Sequence, residues 1–194
     1  DKCLDFEKKT RTENGRNFKM AKFTVDQAHT TIGFEVKHMM VSKVKGQFES
    51  YTAEVEAADL TDLTTASIAF KIDVASINTR NADRDNHLKT GDFFDAESFP
   101  TIDFVSTGIT KDGDDYEVTG DLTIKGVTKQ VTLEVEYNGK GVNPWGVEVY
   151  GFEAEAKINR EDFGLTWNAA LETGGVLVGK DIKIKVELEL NPAA

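Results

Sequence analysis

The chain has 194 residues, enough for one domain with a sizeable core, and 39% of them are hydrophobic, 12 being Phe. Its formal charge is −11, from 23 basic and 34 acidic residues. That acidity disfavours nucleic-acid phosphates and anionic membrane surfaces as general partners and fits ordinary solubility.

Residues 1–19 are polar and show no sustained hydrophobic period. They read as a leader: a tag, an artefact or a loosely docked arm. The domain is expected to span residues 20–194. Cys3 is the only cysteine, so no internal disulfide forms, and it sits without a visible base that would make it a nucleophile. No apolar run approaches the ~20 residues of a membrane span, so no membrane insertion is expected. The leader lacks the apolar stretch of a secretory signal, which makes the cytoplasm the default compartment.

After Met20 the hydrophobic period is two. Ile32, Phe34 and Val36 alternate with polar residues, and so do Ile68, Phe70, Ile72 and Val74. Val118, Leu122 and Ile124 follow, then Val131, Leu133, Val135 and Tyr137. Phe152, Ala154, Ala156 and Ile158 come next, and Ile182, Ile184, Val186, Leu188 and Leu190 complete the set. Alternation gives each strand one dry face and one wet face, the mark of antiparallel sheet. Turn signals stand at Lys111-Asp112-Gly113-Asp114, Lys125-Gly126-Val127-Thr128 and Asn138-Gly139-Lys140-Gly141. These patterns predict eight or nine strands with no long helical stripe between them. A sheet of that size closes or splits, and a barrel of ~8 strands is just wide enough for one slender ligand.

Residues 78–99 break the pattern. Asn78 and Thr79 predict the cap of a short helix over about 80–89, ended by Gly91, with Phe93 and Phe94 behind it. Such an insertion in a tight barrel is a candidate lid or mouth.

The polar residues give little support for catalysis. The three histidines, His29, His38 and His87, show no metal-ligand spacing, no serine sits in a nucleophile elbow, and no glycines form a phosphate loop. Arg84, Asp85 and His87 form the densest polar cluster. They make either a solvated helix with local ion pairs or a rim that meets a polar headgroup. His38 shares a face with Phe34 and Val36 and points inward, where it needs a carboxylate, a water or a ligand as partner. Arg160 either closes a strand end on carbonyls or faces the mouth.

Several ordered stretches together resemble the YceI-like family of lipocalin-like polyisoprenoid-binding proteins. They are Asp26-Gln27-Ala28-His29-Thr30, residues 34–38, and Gly46-Gln47-Phe48. Ser76-Ile77-Asn78-Thr79 follows, with Arg84-Asp85-Asn86-His87-Leu88 and Asp92-Phe93-Phe94 ahead of Phe99-Pro100. Residues 120–128 and 158–164 complete the likeness, which runs over about residues 23–190. It implies an all-β fold: an extended, antiparallel, eight-stranded lipocalin-like barrel with an apolar cavity. It also implies a bound polyisoprenoid, isoprenoid quinone or fatty lipid, no required cofactor, and often a homodimer.

The expected lining is Phe34, Val36, Phe70, Ile72, Phe104, Leu122, Ile124, Leu133, Phe152 and Trp167. A filled core is the competing expectation for the same residues. His38, Arg84, Asp85, His87, Phe93 and Phe94 are expected at the mouth. The function that follows is a non-catalytic carrier of a long apolar lipid. The alternatives are an enzyme acting on such a lipid's headgroup through Arg84, Asp85, His87 and His38, and a stress-related structural or partner-binding protein.

Overall fold

The structure, a computed structural model, describes residues 10–13 and 16–193. Strands β1 (Thr10–Glu13) and β2 (Arg16–Lys19) form a small hairpin sheet of their own. Cys3 lies outside the described residues.

The remaining strands close into one barrel. They are β3 (Ala21–Val25), β4 (Thr31–His38), β5 (Ser42–Phe48), β6 (Tyr51–Ala57), β7 (Ser67–Asp73) and β8 (Ile77–Asn78). After helix α1 (Ala82–Leu88) come β9 (Thr101–Asp112), β10 (Asp115–Ile124), β11 (Val127–Val142), β12 (Glu148–Asn159) and β13 (Val178–Pro192). Three of the barrel's strands are broken in two. β3 and β4 lie end to end along β13, β5 continues into β6, and β7 into β8. Taken as continuous, they give eight antiparallel strands in chain order, and β13 closes the ring between β12 and β3/β4. Closure pairs the ring strands on both sides, while residues 42–46 of β5 keep a short open edge because β8 meets only Gln47 and Phe48.

Two of the three breaks have a clear local cause. Asp26 accepts a hydrogen bond from the Ala28 amide at 3.0 Å and starts the 3-10 turn Gln27–His29 between β3 and β4. Asp73 does the same for Ala75 at 3.1 Å and separates β7 from β8 through the turn Val74–Ser76. Short acidic side chains offer the backbone a partner that competes with the ladder.

Register carries the alternation into the interior. Phe34 pairs with Ile184 and Val36 with Ile182, while Phe104 stands between Phe70 and Leu122. These inward faces form the continuous core. At one pole the Leu63–Thr65 turn inserts a buried Leu63. At the other, α1 and its trailing loop lie across the barrel end.

Two local expectations change. Asn138-Gly139-Lys140-Gly141 is no turn: β11 runs on to Val142, and the extra residue is absorbed by a bulge between Tyr137 and Gly139, where Gly139 has φ 121°. Helix α1 is capped by Asn81, whose side chain accepts from the Arg84 amide at 3.0 Å, and it ends at Lys89. Asn78 and Thr79 are not its cap, because both side chains are engaged elsewhere: Asn78 accepts from the Arg80 amide, and Thr79 is buried against α1.

Candidate functional site: the barrel interior

The barrel encloses a cavity of about 230 Å³. That lies a little below the ~300–1,000 Å³ of most small-molecule pockets, so it suits a slender chain. The cavity runs from Leu63, Val55 and Leu190 at one pole to Phe93, Leu165 and Arg160 beneath α1. Its exposed wall is hydrocarbon throughout, and Arg160 borders it with its guanidinium engaged by backbone carbonyls. The interior is therefore only partly filled by its own side chains.

Phe34, Val36, Phe70, Ile72, Phe104, Leu122, Ile124, Leu133 and Phe152 all border this space. Trp167 does not, and the expectation is corrected. The chain returns from the Arg160–Phe163 turn under α1, and the indole is held there, 4.8 Å centre to centre from the His87 ring and 5.3 Å from Phe93. The whole inward face of β13, including Ile182, Ile184, Val186, Leu188 and Leu190, also lines the cavity. The same alternation that marks β13 as a strand would have placed them there.

Phe93, Phe94 and Leu88 form the cavity's roof. Phe93 is 7% exposed, and Phe94 meets Phe48 edge to face at 6.2 Å. The roof is tied down by the Lys125 ammonium, which donates to the Gly91 carbonyl at 3.0 Å, and by Phe99 packed on Gly126.

The polar residues expected at the mouth face other partners. Arg84 donates from Nε to Thr79 Oγ1 at 2.7 Å and from Nη2 to the Thr79 carbonyl at 2.6 Å. Asp85 accepts from the Thr79 amide at 2.9 Å and from its hydroxyl at 2.5 Å. Both side chains thus fasten α1 to the end of β8. His87 Nε2 meets Asp92 Oδ2 at 2.8 Å, and its ring stands edge-on to Phe93 and Trp167. His38 sits half-buried at the end of β4, in register with Phe34 and Val36, and lies outside the cavity wall. Its imidazole has no hydrogen-bond partner among the described residues. No hydrogen bond or ion pair among the described residues joins His38 or His87 to Arg84 or Asp85. The four side chains proposed for catalysis thus act at three separate places.

Arg160 is the residue whose importance the sequence understated. It is 2% exposed. Nε donates to the Gly179 carbonyl at 2.8 Å, Nη1 to Leu165 at 2.6 Å and Nη2 to Val178 at 3.4 Å. It closes the strand end on carbonyls, the first of its two expected roles, and also borders the cavity. Burial pushes the guanidinium below its ordinary value.

Two polar features lie outside the barrel. An open trough of about 550 Å³ crosses the outer face, but its wall is salt-bridged sheet surface, with Lys157–Asp181 at 3.3 Å and Lys183–Glu155 at 3.7 Å. Asp26, His29 and Glu189 bring their ligand atoms within 4.8 Å of one another. His29 Nδ1 lies 2.9 Å from Asp26 and 3.3 Å from Glu189, which ties β13 to the break between β3 and β4. The hydrogen bond to Asp26 raises His29 above its ordinary value of 6.5, and the one from His29 lowers Asp26.

A closed eight-stranded meander around an apolar cavity, roofed by one short helix, defines a β-barrel with an enclosed apolar interior. The YceI-like domain matches residues 23–190, and the chain belongs to that family. UPF0312 proteins of Staphylococcus aureus are 47% identical over 173 residues, covering 89% of this chain and 98% of theirs. Among solved structures, BcnA of Burkholderia cenocepacia is similar with a TM-score of 0.74 and 29% identity, over 85% of this chain and 98% of that one. The Campylobacter jejuni YceI protein gives 0.69 and 36%, over 88% and 98%. A polyisoprenoid-binding domain from Saccharophagus degradans shares the fold, at 0.63 and 12% identity over 89% and 99% of the two chains respectively. No helix among the described residues is long and apolar enough to cross a membrane.

Proposed function

We propose that this protein is a non-catalytic carrier that holds the tail of a long apolar lipid, a polyisoprenoid or isoprenoid quinone, inside the barrel. The observation that carries the reading is the continuous hydrocarbon wall around about 230 Å³ of unfilled space. Membership of the YceI-like family supports it, and so does a shared fold with a domain described as polyisoprenoid-binding.

The energetics are sufficient. Each buried methylene contributes ~0.8 kcal/mol, so ten carbons supply roughly 8 kcal/mol gross, near micromolar affinity before association costs. The tail sets the affinity, while the roof residues Leu88, Phe93 and Phe94 govern entry.

Protein purified under native conditions and extracted with organic solvent is expected to yield a lipid at near-stoichiometric amount by mass spectrometry. An empty extract, together with no binding of added prenyl lipids, overturns the reading.

A further inference from the structure

We propose that the roofed pole docks on a phospholipid bilayer. The β4–β5 hairpin dips Met39, Met40 and Val41 into the membrane surface, while the lysines behind them meet lipid phosphates. The contact lies outside the barrel and goes beyond the carrier reading, to the surface on which a lipid is taken up or delivered.

Three consecutive apolar side chains project from this hairpin. Val41 is 86% exposed, Met40 64% and Met39 46%. Exposed Val176 extends the patch from the segment before β13. There Met40 packs on Gly175, and the Met39 amide donates to the Leu177 carbonyl at 2.8 Å. An apolar patch held in water marks a contact surface. The two methionines also keep a left-handed backbone, a conformation that is costly for any residue with a long side chain.

The charges behind the tip match phosphate. Lys37 and Lys43 stand opposite each other across the ladder, one step behind the pair that closes the turn. Like charges so placed repel. No ion pair among the described residues reaches Lys37. Lys43 shares the Glu35 carboxylate, at 3.9 Å, with Lys45 at 3.7 Å and Lys185 at 3.3 Å. One carboxylate thus serves three ammonium groups, and the hairpin keeps a positive excess. Lysines on the open edge of β5 deter pairing with another chain, but Lys37 lies on β4, between β5 and β13, where that reason does not apply. The whole chain carries −11, yet at physiological ionic strength charges are screened beyond ~8 Å. The lysines nearest the lipid therefore decide the contact.

The tip also adjoins the cavity. Val36 and Val178 border that space, and His38, paired with Val178, joins them to the turn. The ladder loosens at this point: between the His38–Val178 and Val36–Ile182 pairs, β13 places three residues opposite Lys37 alone. Three side chains fall well short of the ~800 Å² per partner that a stable dimer buries, which favours a bilayer over a second copy of the chain. The β11–β12 hairpin carries another exposed apolar tip at Trp145, but it stands at the opposite pole, and its flanking Lys140 is paired with Glu148 at 3.1 Å.

Co-sedimentation with vesicles tests the proposal, using pure phosphatidylcholine and a mixture of three parts phosphatidylcholine to one part phosphatidylglycerol. Wild type should bind both, and the mixture more tightly. Met39→Asn, Met40→Gly and Val41→Ser together should weaken binding to both at least five-fold. Asn-Gly suits a left-handed turn, so this variant is expected to stay folded; should it unfold, Val41→Asp alone carries the same expectation. Lys37→Gln with Lys43→Gln should remove the preference for the mixture, and Trp145→Ser should bind as wild type does. Wild type that sediments with neither vesicle overturns the proposal, as does binding that survives the tip variants or is lost in Trp145→Ser. A wild-type dimer that the tip variants turn into a monomer, without vesicle binding, assigns the tip to a second copy and also overturns it. The carrier reading stands or falls separately, on the native lipid extract.

Discussion

The ring of Phe34 lies directly over Gly46, its cross-strand partner between β4 and β5. A Cβ built on Gly46 would come within 2.4 Å of Phe34 Cζ. The absent side chain is what lets Phe34 lie against the wall and face the cavity. Gly46→Ala should force the ring off its rotamer and cost about 1–3 kcal/mol, the usual range for over-packing. Urea denaturation of the variant gives the number directly. An unchanged midpoint would mean that the ring moves freely.

Thr79 is the point to which Arg84 and Asp85 both bind. Thr79→Val keeps the shape but deletes the hydroxyl that serves Arg84 Nε and Asp85 Oδ1. Leaving buried polar partners unserved costs about 1–3 kcal/mol. The loss should concentrate in α1, where amide hydrogen exchange is expected to rise more than in β9–β12. Uniform exchange would show that the helix is held by its apolar face alone.

Met39 and Met40 form the turn between β4 and β5 with φ of 52° and 60°, both left-handed and neither glycine. Hairpins place Asn-Gly at such positions. Replacing Met39 by Asn and Met40 by Gly should stabilise the protein by about 1–2 kcal/mol, since each bulky residue in this region costs about 1 kcal/mol. Thermal unfolding of the double variant should show a higher Tm.

His29 stands between Asp26 and Glu189, and its raised pKa fixes the sign of a pH effect. A raised histidine adds stability that is fully present below its ordinary value of 6.5 and is lost as the pH climbs through the higher folded value. The stability difference between wild type and His29→Gln should therefore be largest in mildly acidic buffer and shrink towards alkaline pH. Denaturant titrations across that interval test it. A difference that does not vary with pH would show that the contact is only steric.

Much of this architecture was legible as alternation. The run from Ile182 to Leu190 reads as a strand because every second residue is apolar, and the same rule places those residues on the cavity wall. The breaks in the first three strands were harder to see, although Asp26 and Asp73 announce two of them: a short acidic side chain that can accept from the amide two residues on is a turn signal inside an otherwise extended run. Asn138-Gly139 misled for the opposite reason. Its turn chemistry is real, but the neighbouring strands offered a ladder, and a bulge satisfied both.

The contacts of the roof were not legible. His87 and Trp167 meet only because the segment after Phe163 folds back under α1, and no local pattern encodes that meeting. Arg160 showed one of its two roles by position, since a basic residue at a strand end commonly binds carbonyls. Its place on the cavity wall depends on which way the closed sheet curves.

The seam between β13 and β3/β4 also fixes when the interior comes into being. β13 is the last of the barrel strands in chain order, and it contributes Ile182, Ile184, Val186, Leu188 and Leu190 to the wall. Until it docks, β12 and β4 present two open edges and there is no enclosed space to fill. An enclosed interior is therefore a property of the barrel only once β13 has docked. The unfinished sheet is the state that most needs protection from pairing with a neighbour.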